Sequence, residues 1–276
     1  MLFSVGMVNW YSIRQKDFAS FANRGEQNER LRKRYEQKMD NFSPNADRRH
    51  VVDASALNSF LSKMYSIMGL AVLVSALTAY LTLTVGAGTI LPMLASSRAL
   101  VWILLFLPIV LSVAISFNAT RRPTASFLML MAIAVIYGVE FSTLAFVYTG
   151  TSITAAFVSA AGVFAGMAFY GSVTKRSLDN FGAYANAALI GLIVAMLVNF
   201  FVKSGPASFV FSVIAVIIFT VLTAYDAQKM KQIYQTYGDQ VSSLGLAVNG
   251  ALLLYLDFVN LFLELLQIFG YSDSKN

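Results

Sequence analysis

Several residue types that carry chemistry in other proteins are absent or scarce in this sequence. The 276-residue chain has no cysteine, which excludes disulfide bonds and thiol chemistry, and its single histidine is His50. It contains no Gly-x-Ser-x-Gly, phosphate loop, His-Glu-x-x-His or Cys/His cluster, so nucleophilic and zinc chemistry have no support. We therefore expect a protein that is not an enzyme and that needs no cofactor.

Charged residues are also scarce. They make up 12% of the chain, about half of the ~25% usual in a soluble domain, whereas 57% of the residues are hydrophobic. This composition indicates a membrane protein. The net charge of +6 does not indicate a nucleic-acid partner, because 11 of the 20 Lys and Arg residues lie in the first 63 residues, outside the apolar part.

The apolar part divides into segments that are long enough to cross a bilayer. A membrane helix needs ~20 mostly apolar residues to cross ~30 Å of hydrocarbon. Seven segments meet this length, so the sequence predicts an all-α integral membrane bundle over residues 60–270, joined by short turns. We expect the sixth span to continue into water through "DAQKMKQIYQTYGDQVSS". The predicted spans are 60–84, 99–118, 125–148, 153–173, 183–202, 207–225 and 245–269.

The basic residues predict the orientation. Residues 1–63 and the loops after spans two, four and six hold 17 of the 20 Lys and Arg residues, and the opposite side holds three. Because cytoplasmic segments carry the basic excess, we expect a multi-pass cell-membrane protein with a cytoplasmic N-terminus and an outer C-terminus.

The polar tail, residues 1–59, precedes the first span. Its basic residues follow a short apolar start instead of preceding it, which is not the pattern of a signal peptide. We interpret it as a solvated cytosolic tail, with contact to anionic lipid or disorder as the alternatives. Since "MDNFSPNADRR" at Met39 resembles a natural start, residues 1–38 form an optional extension under our hypothesis.

Four acidic residues lie within or next to the predicted spans. Glu140, Asp257 and Glu264 are embedded, and Asp226 stands at the inner end of span six. A charge at the bilayer centre costs ~2.5 to 3.5 kcal/mol even on insertion scales, so each acid is expected to face protein or water.

The seventh span carries its polar residues on one face. At 100° per residue, Asp257, Asn260, Glu264 and Gln267 fall within an arc of about 80°, and Asn249 joins them. Amides in such a stripe are explained by hydrogen bonds between helices. A carboxyl group is too costly for that role, which favours a functional Asp257. For Glu264, snorkelling to the nearby outer surface is a second interpretation.

Two other acids have open interpretations. Glu140 has Tyr137 and Thr143 on its helical face, so a satisfied hydrogen bond in the core and a role in an ion pathway are equally supported. By itself, Asp226 is best explained as a helix-end acid paired with Lys229 one turn later.

Two long motifs then carry a family resemblance. "LTAYDAQKMKQIY" from residue 223 and "LYLDFVNLFLELLQIFG" near the C-terminus resemble the signature of the Bax inhibitor (transmembrane Bax-inhibitor-motif) family, including its bacterial-type calcium-leak members. "YGSVTKRSLDNFGAY" and the seven-span layout agree with it. The resemblance covers about residues 55–270.

The resemblance implies both an architecture and a function. It implies that helix seven lies at the centre of the other six, and that Asp226 and Asp257 form a proton-sensitive gate for a calcium leak. Some family members also carry an arginine in helix two that binds the helix-six acid. Residues 99–118 contain no basic residue here, and Arg98 and Arg121 flank the span.

Physical chemistry supports such a gate independently. Two carboxyl groups close together in a low dielectric share a proton and titrate as a pair. Calcium prefers oxygen ligands, which the helix-seven stripe supplies. Together with what the resemblance implies, this predicts a pH-sensitive calcium leak channel or transporter, with lipid, calcium and protons as partners. Asp226 and Asp257 are the sensing pair and transient calcium ligands, and Glu140, Asn260 and Glu264 are candidates for the ion pathway.

Two other classes of function stay as alternatives. A regulatory protein that binds a membrane protease or a cell-death regulator is one, and "GVFAGMAFYG" with Gly162 and Gly166 offers it a close-packing face, although packing inside the bundle explains this face better. An intramembrane aspartyl protease is the weaker one, because Asp257 lacks the Gly-x-Gly-Asp setting and a Pro-Ala-Leu motif is absent.

Overall fold

A computed structural model describes residues 54–273 as an all-helical bundle. The described residues form eight helices and no strand. The predictions for residues 1–53, including His50 and the start at Met39, lie outside the described residues. The helices are α1 (Ala54–Thr84), α2 (Ile90–Ser96), α3 (Arg98–Asn118), α4 (Pro123–Leu144), α5 (Gly150–Val173), α6 (Asp179–Val202), α7 (Gly205–Tyr237) and α8 (Ser243–Asp273).

Seven of these helices are long and apolar enough to span a membrane, and they correspond to the seven predicted spans. The predicted all-α, seven-span membrane fold is thereby confirmed for the described part of the chain. The short helix α2 was not predicted, and α4 ends at Leu144, before the predicted 148. Helix α7 continues to Tyr237, in agreement with the expected extension of span six into water.

Large apolar side chains cover the outside of the bundle. Leu73, Phe200 and Phe201 are 67%, 73% and 82% exposed, and similar residues lie on every long helix except α8. In water such an apolar surface would cause aggregation or mark a site of interaction with other molecules. In a bilayer the surrounding solvent is itself hydrocarbon. The exposed surface therefore fits an integral multi-pass membrane protein.

Helix α8 is the innermost helix. In its most apolar stretch 72% of the residues are buried, against 17% to 39% in the other six spans. It packs mainly against α7, α5, α1 and α4, and it touches α3. Helix α6 packs mainly on α7. A helix that is enclosed in this way has to be apolar on nearly all sides, as the sequence of α8 is.

Close contact between helices depends on several glycines, among them one in α5 and one in α8. A Cβ atom added to Gly171 of α5 would overlap the backbone of Ala224 in α7. One added to Gly250 of α8 would lie 2.5 Å from the sulfur of Met64 and 3.0 Å from Cγ of Met230. Small residues let membrane helices approach closely, so these positions set how near α5 and α8 come to their neighbours.

Candidate functional site

Helices α7 and α8 place two aspartates against each other inside the bundle. Helix α7 starts at a serine cap, where Ser204 accepts a hydrogen bond from the Ala207 amide, and Asp226 follows 21 residues after Gly205. At 1.5 Å per residue this is about 32 Å, close to the full hydrocarbon thickness. Asp257 lies near the middle of α8 and is only 5% exposed.

The carboxyl groups of Asp226 and Asp257 form a side-chain hydrogen bond. Oδ2 of Asp257 is buried and meets no hydrogen-bond donor among the described residues. An ionised carboxylate only accepts hydrogen bonds, so two carboxyl groups can bond to each other only when one of them is protonated. A hydrogen bond between these two groups therefore implies that one of them is protonated.

Lys229 does not neutralise Asp226 as the sequence of α7 alone suggested. The Lys229 ammonium group lies over the Tyr225 ring, 5.9 Å from its centroid, and it influences Asp226 only as a nearby charge. Within residues 54–273 the two side chains form no ion pair. The flanking arginines of α3, Arg98 and Arg121, are both exposed, and neither contacts the aspartates.

A second polar group lies nearer the other end of α8. Glu264 is 5% exposed, so it does not snorkel to the surface, and the interpretation that it does is wrong. Its carboxyl group lies within hydrogen-bonding reach of Ser212 of α7. The Ser212 hydroxyl donates to Oε1 of Gln267 at 2.8 Å. Gln267 therefore makes the bond between helices that was expected of the amides.

The remaining amides of the stripe behave differently. Asn260 is 6% exposed and donates to the Leu256 carbonyl of its own helix at 2.8 Å, so it joins no two helices through this bond. The Oδ1 atom of Asn249 is buried and meets no donor among the described residues. Unlike Gln267, neither amide offsets the free-energy cost of its burial by a hydrogen bond between helices.

Oxygen atoms without ordinary donors recur along this face of α8. They belong to Asn249, Asp257 and Glu264, at intervals of eight and seven residues. The three levels cover about 22 Å along the helix, most of the hydrocarbon thickness. A buried acceptor without a donor costs ~1 to 3 kcal/mol, and protons, cations or water would each relieve that cost. This row of oxygen atoms is the main polar feature of the bundle interior.

Glu140 is not part of this row. It is partly buried on α4, and its electrostatic neighbours are the hydroxyl groups of Tyr137 and Tyr255. The Thr143 hydroxyl donates to the Glu140 backbone carbonyl at 2.7 Å and leaves the carboxyl group to other partners. The structure thus brings together Asp226 with Asp257, and Glu264 with Gln267, but it does not bring Glu140 to either group.

The aspartate pair is not a closed metal site. Among residues 54–273, no group of three or more His, Cys, Asp or Glu side chains is placed to hold a metal ion. Calcium takes six to eight oxygen ligands, of which two carboxylates supply at most four. The arrangement suits brief contact with a cation better than stable binding.

Residues that the sequence did not single out hold the helix ends near Asp226. Gln228 donates to the Arg176 carbonyl and accepts from the Leu178 amide, both at 2.8 Å. Lys231 donates to the Ser172 carbonyl at 2.7 Å. The signal was present in the sequence, because both residues stand in the motif that carries Asp226, but their partners lie 50 or more residues away.

The glycine pair of α5 has no packing role in the bundle. Gly162 and Gly166 are exposed, and a Cβ atom on either would meet nothing within 4 Å. The expectation that they pack inside the bundle is therefore wrong, and their face of α5 points to lipid.

Fold and site together define a class. The protein is a seven-span integral membrane protein whose innermost helix carries an acidic residue bonded to a second acid on the preceding span.

The comparisons with known proteins then identify the family. The family model described as inhibitor of apoptosis-promoting Bax1 matches residues 57–274, and the chain belongs to this Bax inhibitor family. The uncharacterized protein YrjE of Lactococcus lactis is 39% identical, over 79% of this chain and 93% of its own length. An uncharacterized membrane protein of Streptococcus pyogenes serotype M3 is 38% identical, over 79% of this chain and 94% of its own length. The inner membrane protein YbhL of Escherichia coli K12 is 37% identical, over 78% of this chain and 93% of its own length.

Proposed function

We propose that this protein is a slow, pH-controlled calcium leak of the cell membrane, with Asp226 and Asp257 as its sensing pair. The observation that carries the proposal is the hydrogen bond between the two carboxyl groups inside the bundle. The orientation in the proposal is the one that the basic residues indicate, with the N-terminus in the cytoplasm and the C-terminus outside. No enzymatic activity belongs to the proposal.

The shared proton supplies the pH control. While one carboxyl group is protonated, the pair joins α7 to α8 through a hydrogen bond that needs no neutralising cation. When the proton leaves, two negative charges face each other in a poorly solvated place, where they repel each other and attract a cation. Proton and calcium thus compete for the same oxygen atoms, which makes the flux depend on pH.

The oxygen row on α8 supports a route for the ion. Asn249, Asp257 and Glu264 offer buried acceptors at successive levels, and Asn260 lies between the two acids. Oxygen atoms of carboxylate and amide groups are ligands of calcium, and water completes the coordination. A row with few fixed ligands at each level binds weakly enough for release, which conduction requires.

Calcium flux into liposomes tests the proposal. Purified protein is reconstituted into liposomes that contain a calcium dye, and flux is followed from roughly pH 5 to pH 8. Wild-type protein is expected to pass calcium at a rate that changes with pH. Asp226→Asn and Asp257→Asn are each expected to change that profile, and the double variant by less than the sum of the single effects, because the two groups act as one unit.

Asp179→Asn is the matched control. Asp179 is an exposed aspartate at the start of α6, outside the pair, so its replacement is expected to leave the profile unchanged. Wild-type flux equal to that of empty liposomes at every pH would refute the leak. A regulatory role through protein partners would then be the better explanation, and cleavage of a helical substrate that an aspartyl inhibitor blocks would instead indicate a protease.

A further inference from the structure

A cleft opens in the bundle on the side of α8 that carries no acid. Its volume is about 340 Å³. Four helices line it: the second half of α1, the end of α4, the start of α5 and the middle of α8. The lining residues that matter below are Ala76, Ala79, Phe141, Phe157, Phe258 and Phe262.

The cleft exists because hydrogen bonds join α1 and α5 near one end, whereas a gap opens between the two helices towards the other end. Near the joined end, the Tyr65 hydroxyl forms a 2.6 Å hydrogen bond with Ser172 and donates to the Ala168 carbonyl at 3.2 Å. Ala79 lies 14 residues beyond Tyr65 on α1, about 21 Å along the helix. There α8 forms the floor between the two helices, and the mouth of the cleft lies at the outside of the bundle beside the exposed Phe157.

The lining provides apolar and aromatic surface. Phe157 meets Phe258 edge to face at 5.6 Å between ring centroids, and Phe141 meets Phe262 in the same way at 5.3 Å. Phe157 is 39% exposed and stands at the mouth, whereas Phe258 and Phe262 are 6% exposed on the floor. Edge-to-face packing fixes these rings, so the cleft keeps a defined shape.

The few polar groups of the lining are already bonded to the protein. The Ser75 and Tyr255 hydroxyl groups lie 2.6 Å apart and form a hydrogen bond, and Ser75 also reaches the Ala71 carbonyl at 3.0 Å. Thr154 donates to the Gly150 carbonyl at 2.8 Å. These three are the polar side chains of the lining, so the cleft recognises an apolar ligand and not a polar one.

The volume decides which apolar ligand fits. One turn of an α-helix, ~10 Å wide and ~5.4 Å long, fills roughly 420 Å³, more than the whole cleft, so a partner helix does not enter it. An extended hydrocarbon chain is narrower than a helix. Each methylene group occupies close to ~30 Å³, the volume of one water molecule in the liquid, so the cleft holds about 11 methylene groups. Apolar cavities of this kind exclude water.

We propose that the cleft binds one acyl chain of a bilayer phospholipid between α1 and α5. The cleft lies within the membrane-spanning segments and is open to the surrounding hydrocarbon, so phospholipid chains reach it without leaving the bilayer. Burying the chain removes the cost of an unfilled cavity beside the most enclosed helix of the bundle.

The site is separate from the aspartate pair. Tyr255, Phe258 and Phe262 lie on the face of α8 opposite to the stripe of Asp257 and Glu264, as the rotation of 100° per residue requires. The two proposals are therefore independent, and either can fail while the other holds.

Fluorescence quenching by brominated lipid tests the site. Trp10 and Trp102, the two tryptophans of the chain, are replaced by phenylalanine, and Phe258→Trp introduces one reporter at the floor of the cleft. Phe219→Trp, at a fully buried position outside the cleft, is the control. In bilayers of phospholipid with brominated acyl chains, we expect the quenched fraction of the cleft reporter to be at least about twofold larger. Equal quenching of the two reporters would overturn the proposal.

Retention of lipid through purification provides a second measurement. Native mass spectrometry of the purified wild-type protein is expected to show one bound phospholipid. Ala79→Phe fills the cleft, so the acyl chain loses apolar burial equal to that of two methylene groups. We expect the retention of the lipid to weaken about tenfold. Ala165→Phe, on an exposed position of α5, is the matched control. Equal retention in the two variants, or a second protein chain in place of the lipid, would refute the proposal.

Discussion

Replacement of Gln228 tests how the helix end near Asp226 is held. The Gln228 side chain is 5% exposed, and its amide bonds to both the Arg176 carbonyl and the Leu178 amide of the connection between α5 and α6. Gln228→Ala removes both bonds and leaves two backbone groups without partners at a place that water reaches poorly. The connection then loses its main tie to α7.

The expected loss of stability follows from these two bonds. A hydrogen bond contributes ~0.5 to 1.5 kcal/mol net, and a buried group left without a partner costs ~1 to 3 kcal/mol. For two groups, one of them near the surface, we expect the free energy of unfolding to fall by about 2 to 4 kcal/mol. At ~2 to 4 °C per kcal/mol for a chain of this size, the melting temperature should fall by roughly 4 to 16 °C.

Gln228→Glu separates the two halves of the contact. A carboxylate can still accept from the Leu178 amide, but it has no proton to donate to the Arg176 carbonyl. Because the side chain is buried and a carboxylate oxygen would face the Arg176 carbonyl oxygen, we expect Gln228→Glu to melt no higher than Gln228→Ala. Thermal melting of the purified protein in detergent measures all three. Gln235→Ala, at an exposed position of the same helix, is the control and should melt like wild type. If Gln228→Ala melts within about 2 °C of that control, the reasoning from the two bonds is refuted.

Two further predictions concern helix packing and orientation. Gly171→Leu should lower the melting temperature, because its Cβ overlaps the Ala224 backbone and overpacking costs ~1 to 3 kcal/mol, whereas Gly162→Leu, with open space around its Cβ, should not; equal melting of the two variants would contradict the helix contact. Because the chain has no cysteine, single cysteine variants report directly which side of the membrane a residue lies on. Val147→Cys should react with an impermeant thiol reagent from outside the cell, and Thr236→Cys should react only after permeabilisation. The reverse pattern would invert the proposed orientation.

Local chemistry was enough to predict the spans and the acidic stripe. Apolar runs of about 20 residues have few alternatives to membrane helices, because the bilayer leaves no backbone hydrogen bond to water. The helical repeat then places Asp257 and Glu264 on one face wherever the helix lies. The pairing of Asp226 with Asp257 was not predicted by local chemistry; the family resemblance of the two motifs implied it, and the structure brings the two carboxyl groups into contact.

The fate of individual side chains was less predictable. The position of Glu264 along α8 is compatible with both a buried and a snorkelling carboxyl group, and the enclosure of α8 by the other helices decides for burial. Lys229 stands one turn from Asp226 and looks like its partner, but the ring of Tyr225 lies below its ammonium group instead. In both cases the outcome depends on a side-chain rotamer or on residues far away in the sequence.

The sequence by itself determined the number of spans, the apolar exterior and the stripe of oxygen-bearing residues on α8, because each follows from composition or from a helical repeat of fixed angle. Only the tertiary structure decided which helices meet. The contact between Asp226 and Asp257, the contacts of Gln228 across 50 or more residues and the cleft between α1 and α5 all depend on how rigid helices cross. Close approaches such as that of Gly171 to Ala224 set those crossings. No local pattern contains that information, because a crossing is a property of two surfaces at once.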